Sequence, residues 1–315
     1  MYVSRPHLRA LAAPSAAVTA RVFVVGCARS GTTLLQAMLA RHPRVFTLPE
    51  THFFWKAERS RLRRRLGLVT PVGRVALVQM LRELGREDLL PLLPGRSPLL
   101  RSHAAAFSRV LDRVASEAGR DVWVEKTPLH IRRIETITRH VARARFVHIL
   151  RDGRDVIASL HDAATRSPDI WGEPSLDRLI QRWNTDVEIT LAYRRSPGHH
   201  VVAYDRLLPD TAGELAGLCS VLGIEFDPAM LRHWDGVEDV MGRLATRPWM
   251  QNAFKPVRKG APLEKFRRRF STAEQRYIEQ HLLYGGQVTD RLAADPLGPP
   301  GAVPCPQDGE CRRAS

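Results

Sequence analysis

Short apolar runs alternate with longer amphipathic segments along the chain, and this alternation predicts the fold. Runs rich in valine, isoleucine and phenylalanine predict five strands, at 22–25, 44–48, 122–124, 145–150 and 199–204. Between and after them, apolar residues at helical spacing predict helices, among them those starting near 32 and those over 175–195, 211–222 and 271–283. Strands that alternate with helices indicate an α/β fold with a central parallel sheet and helices on both faces.

Local signals mark the ends of one predicted helix. Thr211 and Glu214 have the spacing of a capping box, in which each side chain bonds the backbone N–H of the other residue. Gly223 follows the last apolar position, where glycine favours a left-handed C-terminal cap. We therefore predict that this helix begins at Thr211 and ends before Gly223.

The pattern changes at both ends of the chain and once near the middle. Residues 1–20 are interpreted as a flexible N-terminal arm, 21–294 as one domain, and 295–315, where proline and glycine accumulate, as a disordered tail. Residues 56–119 carry amphipathic helices with charged outer faces, which indicates a helical insertion into the domain. Such an insertion is expected to cover a site or to shape its pocket.

Length and composition are typical of a soluble globular protein. The chain has 315 residues, of which 44% are hydrophobic and 26% are charged, so it can bury a sizeable core. No apolar run approaches the roughly 18 residues that a membrane-spanning helix needs. The four cysteines include no C-x-x-C pair, so we expect neither a disulfide framework nor a zinc site, and a cytoplasmic location.

The net charge of +15 favours anionic ligands. A non-catalytic basic protein that binds polyanions is therefore one alternative function. The basic residues are scattered along the chain, however, and a generally basic surface explains the charge equally well. We expect no nucleic-acid partner.

The stretch 21–50 carries the main chemical signal. A strand is followed by a glycine-containing turn over 26–33 and then by an apolar helix, so backbone N–H groups at the helix start converge on one point. The turn also supplies a cation, hydroxyl groups and a flexible position, at Arg29, Ser30, Gly31, Thr32 and Thr33. This combination predicts a cradle for phosphate or sulfate.

The same turn does not fit a kinase or an ATPase. Gly26 and Gly31 have the spacing of a nucleotide-triphosphate loop, but the position of its lysine holds Thr32. The cation that would lie on the transferred phosphate is therefore missing. A P-loop nucleotide kinase or NTPase on a similar sheet is kept as a second alternative function.

Polar residues also follow the other predicted strands. They are Glu50, Lys126, Arg151 and Tyr204. The carboxyl ends of parallel strands share one edge of the sheet, where ligands bind. We therefore expect these side chains to converge on one site beside the cradle.

From Arg21 to about Leu283 the order of these motifs resembles the sulfotransferase superfamily, most closely its tyrosylprotein-sulfotransferase-like branch. CARSGTTLLQAMLARHPRVFTLPET is similar to the 5′-phosphosulfate loop, helix and catalytic glutamate of that branch, and FVHILRDGRDVIASL is similar to its 3′-phosphate motif. VVAYDRLL resembles a strand whose tyrosine contacts the nucleotide, and KPVRKG resembles a later nucleotide-binding element. The resemblance implies a P-loop-like 5′-phosphosulfate loop and 3′-phosphoadenosine 5′-phosphosulfate as the co-substrate.

The resemblance also implies roles for individual residues. The implied nucleotide-binding residues are Arg29, Ser30, Gly31, Thr32, Thr33, Arg151, Ser159, Tyr204, Lys255, Arg258, Lys259 and Gly260. Glu50 would be the base that removes the proton of a hydroxyl or amine acceptor, and Lys126 the cation near the bridging oxygen of the leaving group. Transfer would then be an in-line displacement, for which we expect no metal.

Three positions depart from the related enzymes. The tyrosyl branch has an arginine two residues after the glutamate, where this chain has His52, and another four residues after the 3′-phosphate serine, where it has Ala163. The acceptor therefore stays open between peptide, carbohydrate, lipid and small metabolite. Cytosolic sulfotransferases use a histidine two residues after the matching lysine, but Pro128 occupies that place, which leaves His52 and His130 as reserve candidates for the base.

Overall fold

The computed structural model of the chain describes residues 17–232 and 263–288, and it confirms the α/β fold. The strands are β1 (Ala20–Val25), β2 (Val45–Thr47), β3 (Val122–Lys126), β4 (Ala144–Leu150) and β5 (His199–Ala203). They run parallel in the order β2-β3-β1-β4-β5. All their carboxyl ends therefore lie along one edge of the sheet. The strand order reverses at the central strand β1, with β2 and β3 on one side of it and β4 and β5 on the other.

Helices connect the strands and cover the sheet. The α-helices are α1 (Thr32–Ala40), α2 (Phe53–Ala57), α3 (Arg61–Arg65), α4 (Pro71–Leu84), α5 (Leu100–Glu117), α6 (Ile134–His140), α7 (Gly153–Arg166), α8 (Pro168–Trp171), α9 (Leu176–Tyr193), α10 (Tyr204–Leu207), α11 (Thr211–Leu222), α12 (Glu264–Arg269) and α13 (Thr272–His281). Short 3-10 helices lie at Glu87–Leu92, Pro128–Arg133, Pro228–Leu231 and Leu283–Gly286.

The side chains of β1 alternate between two halves of the core. Phe23 lies in an aromatic cluster, with ring centres 6.1 Å from Phe54, 6.4 Å from Phe107 and 5.4 Å from Trp123. Val24 lies in a second, aliphatic cluster that includes residues of α1 and α11. A parallel sheet needs apolar side chains on both faces because helices cover both, which explains why β1 is apolar from Val22 to Val25.

The segment predicted as a helical insertion is helical through α3, α4 and α5. Its buried side chains, which include Leu77, Leu81 and Leu111, belong to the same cluster as Phe23. This segment therefore contributes to the main core beside the sheet. The domain boundaries inferred from composition stay a prediction.

The N-terminal cap of α11 differs from the prediction. Asp210, one residue earlier, caps the helix by accepting a 3.0 Å hydrogen bond from a backbone N–H three residues on. Thr211 instead donates to a carbonyl of the preceding turn at 2.7 Å, and Glu214 forms an ion pair with an arginine at 3.1 Å. The predicted capping box is wrong because Asp210 is the stronger cap acceptor. The C-terminal cap at Gly223, with φ of 70°, is confirmed.

Candidate active site

The turn between β1 and α1 forms an open cradle at the carboxyl edge of the sheet. Gly26, Arg29 and Gly31 adopt φ values of 144°, 75° and 99°. Gly31 is the N-terminal cap of α1, and no described side chain bonds the N–H groups of this first turn as a cap. Such a helix start binds an anion through its N–H groups and its dipole.

The ring of Tyr204 explains why Gly31 carries no side chain. A Cβ atom at Gly31 would lie 2.6 Å from Cε2 of this ring and 3.3 Å from Cδ1 of Ile149. Tyr204 follows β5 and begins α10, so it reaches the cradle from another strand end, as the topology predicted.

A buried ion pair joins β3 to the segment after β2. The side chain of Lys126 is fully buried, and its Nζ bonds Oε1 of Glu50 and, at 3.3 Å, Oγ1 of Thr33. Burying an ammonium group is unfavourable unless a carboxylate compensates the charge. Glu50 supplies this carboxylate while its own side chain stays 21% exposed. The predicted convergence of these residues on the cradle is therefore observed.

His52 extends the ion pair towards a cavity. Its Nε2 lies 3.3 Å from Oε2 of Glu50, so each oxygen of this carboxylate has a partner. Burial lowers the pKa of His52, and the charge of Glu50 opposes part of this effect. Burial therefore favours the neutral imidazole, which is the form that is able to accept a proton.

His130, the other reserve base, does not reach this site. It is fully buried, and its Nδ1 lies 2.9 Å from Oε2 of Glu125. Its ring packs against Phe23 and Phe54 in the aromatic cluster. The structure therefore places His130 among the aromatic rings beside Glu125, on the side of the sheet opposite the contact of Lys126 with Thr33.

Arg29 links the cradle to α7. Its Nε donates a 3.1 Å hydrogen bond to Oγ of Ser159, a residue predicted at the other end of the nucleotide. Burial lowers the pKa of Arg29, and the nearby charges of Arg166 and Arg151 lower it further. The positive charges of these arginines repel one another beside the cradle, and a bound anion would reduce this repulsion.

Arg151 presents an unsatisfied donor beside the same cradle. Its guanidinium lies 4.5 Å from the ring centre of Tyr204 and donates a 3.1 Å bond to Asp155. Its Nε is buried and has no hydrogen-bond partner among the residues that the structure describes. A buried donor without an acceptor is unfavourable, and an anionic ligand would satisfy it.

An open cavity of about 400 Å³ begins at Glu50 and His52. Its walls carry aromatic and cationic side chains from the 3-10 helix after β3 and from α2, α8 and α9, namely Trp55, Trp171, Arg132, Arg178 and Arg182. The guanidinium of Arg182 lies 5.7 Å from the ring centre of Trp171. Sequence reasoning did not identify these residues, because helices that are distant in the chain bring them together.

Part of the predicted site lies outside the described residues. These positions are Lys255, Arg258, Lys259 and Gly260. Within 17–232 and 263–288, no group of three or more histidine, cysteine, aspartate or glutamate side chains could hold a metal ion. In the same ranges, no helix is both long enough and apolar enough to cross a membrane.

Comparison with known proteins gives a consistent result. The model of the family described as "Sulfotransferase family" matches residues 21–228. A protein-tyrosine sulfotransferase of Drosophila melanogaster is 25% identical, over 67% of this chain and 40% of its own length. Protein-tyrosine sulfotransferase 2 of Gallus gallus is also 25% identical, over 70% of this chain and 55% of its own. The chain thus spans about half the length of these curated relatives.

A solved structure shares the fold. It is the sulfotransferase domain of the olefin synthase of Synechococcus PCC 7002, with a TM-score of 0.50 and 22% identity. The match covers 76% of this chain and 85% of that domain. The α/β architecture described above is therefore also found in an experimentally determined protein.

Proposed function

Because this chain belongs to the sulfotransferase family, we propose that it transfers a sulfuryl group from 3′-phosphoadenosine 5′-phosphosulfate to a hydroxyl group of an acceptor. The observation that carries the proposal is the ion pair of Lys126 and Glu50 beside the start of α1. Through Thr33, it connects a cation, a carboxylate and an anion-binding helix end. A P-loop kinase is not favoured, because Thr32 occupies the place of its lysine.

The described residues suit the two anionic ends of this donor. The N–H groups at the start of α1 and the hydroxyls of Thr32 and Thr33 suit the 5′-phosphosulfate. The Nε of Arg151, which has no hydrogen-bond partner within 17–232 and 263–288, and the hydroxyl of Ser159 suit the 3′-phosphate. Arg29, which belongs to the cradle and bonds Ser159, suits a position between the two groups.

The side chains can then carry out an in-line displacement. The acceptor oxygen attacks sulfur, and the bond between sulfur and the bridging phosphate oxygen breaks. Glu50 accepts the proton of the hydroxyl as the new O–S bond forms. Lys126 offers its ammonium group to the oxygen that gains negative charge. These residues act through position and charge, and the reaction so written needs no metal.

As the acceptor group we propose a phenolic hydroxyl, with protein tyrosine as the first candidate. The relatives in fly and chicken are called protein-tyrosine sulfotransferases. Trp55 and Trp171 also line the cavity beside Glu50, and such indole side chains suit contact with an aromatic ring. The cytoplasmic location expected from the cysteines stays a prediction.

Calorimetry and a transfer assay test the donor and the acceptor separately. We expect 3′-phosphoadenosine 5′-phosphate to bind much more tightly than AMP or ATP, and labelled sulfuryl transfer to a tyrosine peptide to proceed with a chelator present. Equal affinity for AMP and the 3′-phosphorylated nucleotide would reject the donor. Magnesium-dependent ATP turnover would support the kinase alternative, and salt-sensitive polyanion binding without turnover would support the basic binding protein.

A further inference from the structure

A second carboxylate, Glu125, lies directly behind the segment of Glu50 and has no part in the chemistry proposed above. It precedes Lys126 on β3, and both side chains are fully buried. Successive side chains of a strand point to opposite faces of the sheet. Lys126 reaches towards α1, where it meets Thr33, whereas Glu125 lies on the face of the aromatic cluster with His130.

Glu125 accepts hydrogen bonds from the residue that follows Glu50. Its Oε1 accepts a 3.1 Å bond from the backbone N–H of Thr51 and a 2.9 Å bond from the hydroxyl of Thr51. The same oxygen accepts a 2.5 Å bond from Oγ1 of Thr127, and Oε2 lies 2.9 Å from Nδ1 of His130. Both oxygens of this carboxylate are therefore occupied.

Two hydroxyl groups extend this network along the backbone. Oγ1 of Thr127 accepts a 3.3 Å bond from the N–H of His52. Oγ1 of Thr51 accepts a 3.2 Å bond from the N–H of Phe53, the first residue of α2. The N–H groups of three successive residues are thus connected to one carboxylate, either directly or through one hydroxyl.

The backbone held in this way is strained. His52 has φ of 52°, a left-handed conformation that is uncommon for residues other than glycine. Such a conformation persists only where the surrounding structure fixes it, and it is found often at functional sites. The network of Glu125 supplies this constraint at the residue whose imidazole contacts Glu50.

The network also keeps Glu125 ionised. Burial alone would raise its pKa, but the charge of His130 and the hydrogen bonds from His130, Thr127 and Thr51 lower it to about 2. The lowered pKa favours the ionised carboxylate, whose two oxygens accept these hydrogen bonds.

We propose that Glu125 is a positioning residue for the base Glu50. On one face of the sheet, Glu125 holds the backbone of residues 51–53. On the other face, Lys126 holds the carboxylate of Glu50. Two consecutive residues of β3 thus fix the direction from which Glu50 and His52 face the acceptor. This inference rests on the proposed function, since it assumes that Glu50 removes the proton.

Three variants separate positioning from general stability. Glu125→Leu removes the acceptor while keeping a similar volume. Glu125→Gln keeps one oxygen for the two threonines, and its amide can donate to Nδ1 of His130 in the other tautomer. Glu58→Leu is the matched control, because Glu58 is a buried carboxylate of the same region whose side chain bonds Thr136 at 2.8 Å and pairs with Arg133 at 3.5 Å.

The expected result is a loss of rate without a loss of nucleotide binding. Glu125→Leu should bind 3′-phosphoadenosine 5′-phosphate as the wild type does, yet transfer sulfuryl about 100-fold more slowly in a single turnover with saturating donor, since a misplacement of about 1 Å has this effect. Glu125→Gln should recover most of the rate. Glu58→Leu should lose rate only in proportion to its unfolded fraction. Amide hydrogen exchange at Thr51 and His52 should accelerate in Glu125→Leu alone.

A folded Glu125→Leu protein that binds nucleotide and transfers at the wild-type rate would overturn the proposal. If this variant does not fold, Thr127→Val provides the test, with slower transfer and faster exchange at His52 as the supporting result and no change in either as the opposing one. If the wild type binds nucleotide but transfers to no phenolic acceptor, the proposed acceptor has failed. Amide hydrogen exchange then tests the positioning role by itself. Faster exchange at Thr51 and His52 in Glu125→Leu supports the role, and unchanged exchange rejects it.

Discussion

Arg29 and Ser159 are 130 positions apart in the chain, and Nε of Arg29 donates a 3.1 Å hydrogen bond to Oγ of Ser159. The family resemblance implies that one holds the 5′-phosphosulfate and the other the 3′-phosphate. Their contact indicates that the two anion sites share side chains. Ligand occupancy at one site is therefore expected to affect the geometry of the other.

Ser159→Ala should weaken the binding of both 3′-phosphoadenosine 5′-phosphate and AMP, because it removes a hydroxyl near one phosphate and releases Arg29 near the other. Arg151→Ala should weaken only the 3′-phosphorylated nucleotide, by about 10- to 100-fold, the usual effect of one charge-assisted hydrogen bond. Calorimetry with both nucleotides measures the two patterns.

Arg120→Ala is the control for the loss of one positive charge. Arg120 lies just before β3, at the amino edge of the sheet and away from the site. The Arg120→Ala variant should bind 3′-phosphoadenosine 5′-phosphate and AMP with the affinities of the wild type. An unchanged affinity for AMP in Ser159→Ala would show that the two sites are independent.

Glu50→Gln should reduce the single-turnover rate by about 10²- to 10⁴-fold, since it removes the proton acceptor and preserves the shape. Lys126→Ala should also reduce the rate. With a donor that has a better leaving group, this reduction should be smaller than with the natural donor. Rapid-quench assays with labelled donor measure both effects. Because the two groups act on one transition state, the losses in the double variant need not add.

Nucleotide binding should survive in Glu50→Gln, although Lys126 then loses its counter-charge and the melting temperature should fall. His52→Gln is the companion variant. A wild-type rate in Glu50→Gln together with a large loss in His52→Gln would identify the imidazole as the base. Loss of nucleotide binding in Glu50→Gln would indicate that this residue holds the cradle open.

Gly31→Ala should weaken nucleotide binding by more than about tenfold, because its Cβ would collide with the ring of Tyr204 and displace it from the cradle. Gly85→Ala is the matched control. Gly85 also has a positive φ, of 66°, but no atom lies within 4 Å of its added Cβ. Gly85→Ala should lower the melting temperature and leave the affinity unchanged. Equal affinities in the two variants would contradict this account of Gly31.

Acid should destabilise the protein through a buried histidine pair. Nε2 of His148 lies 2.9 Å from Nδ1 of His199. Burial lowers the pKa of His148 to about 3 and that of His199 to about 4. Below about pH 6.5 these histidines are therefore protonated in the unfolded chain but not in the folded chain. The free energy of unfolding then falls by about 1.4 kcal/mol for each unit of decreasing pH for His148 alone.

Urea unfolding at pH 7 and pH 5 tests this effect. His199→Phe keeps a ring between Phe146 and Tyr193, whose centres lie 4.7 and 4.9 Å from that of His199, and it removes one titrating group. We expect a smaller loss of stability between the two pH values than in the wild type. His281→Gln, at an exposed position on α13, should behave as the wild type. An unchanged pH dependence in His199→Phe would exclude this pair as its source.

The sequence was sufficient for the sheet and for the meeting of Glu50, Lys126 and the cradle. Strand positions follow from local apolar runs, and the shared edge follows from the parallel topology. The same argument brought Tyr204 to the site beside the cradle, and the structure shows that its ring lies against Gly31. Each of these inferences needs only the parallel direction of the strands and the polar residues near their carboxyl ends.

The role of Glu125 could not be inferred in this way. In the sequence it is one more charged residue at a strand end, and its burial depends on the pairing of β3 with β1 and on the aromatic cluster above it. Trp171 was missed because α8 is too short to show a helical pattern. His130 stayed a reserve candidate for the base, because its place in the sequence does not show that its ring lies beside Glu125, on the side of the sheet opposite Lys126.

The central position of β1 has a consequence for the order of events during synthesis. β1 is synthesised before both of its neighbours, β3 and β4, which follow it by about a hundred residues or more. Since chains are synthesised at about 5–20 residues per second, both edges of β1 remain unpaired for several seconds. Such edges recruit other chains, and long-range pairing is slow. Lower expression temperature or a chaperone that shields β1 should therefore raise the yield of soluble protein more than any change near the active site.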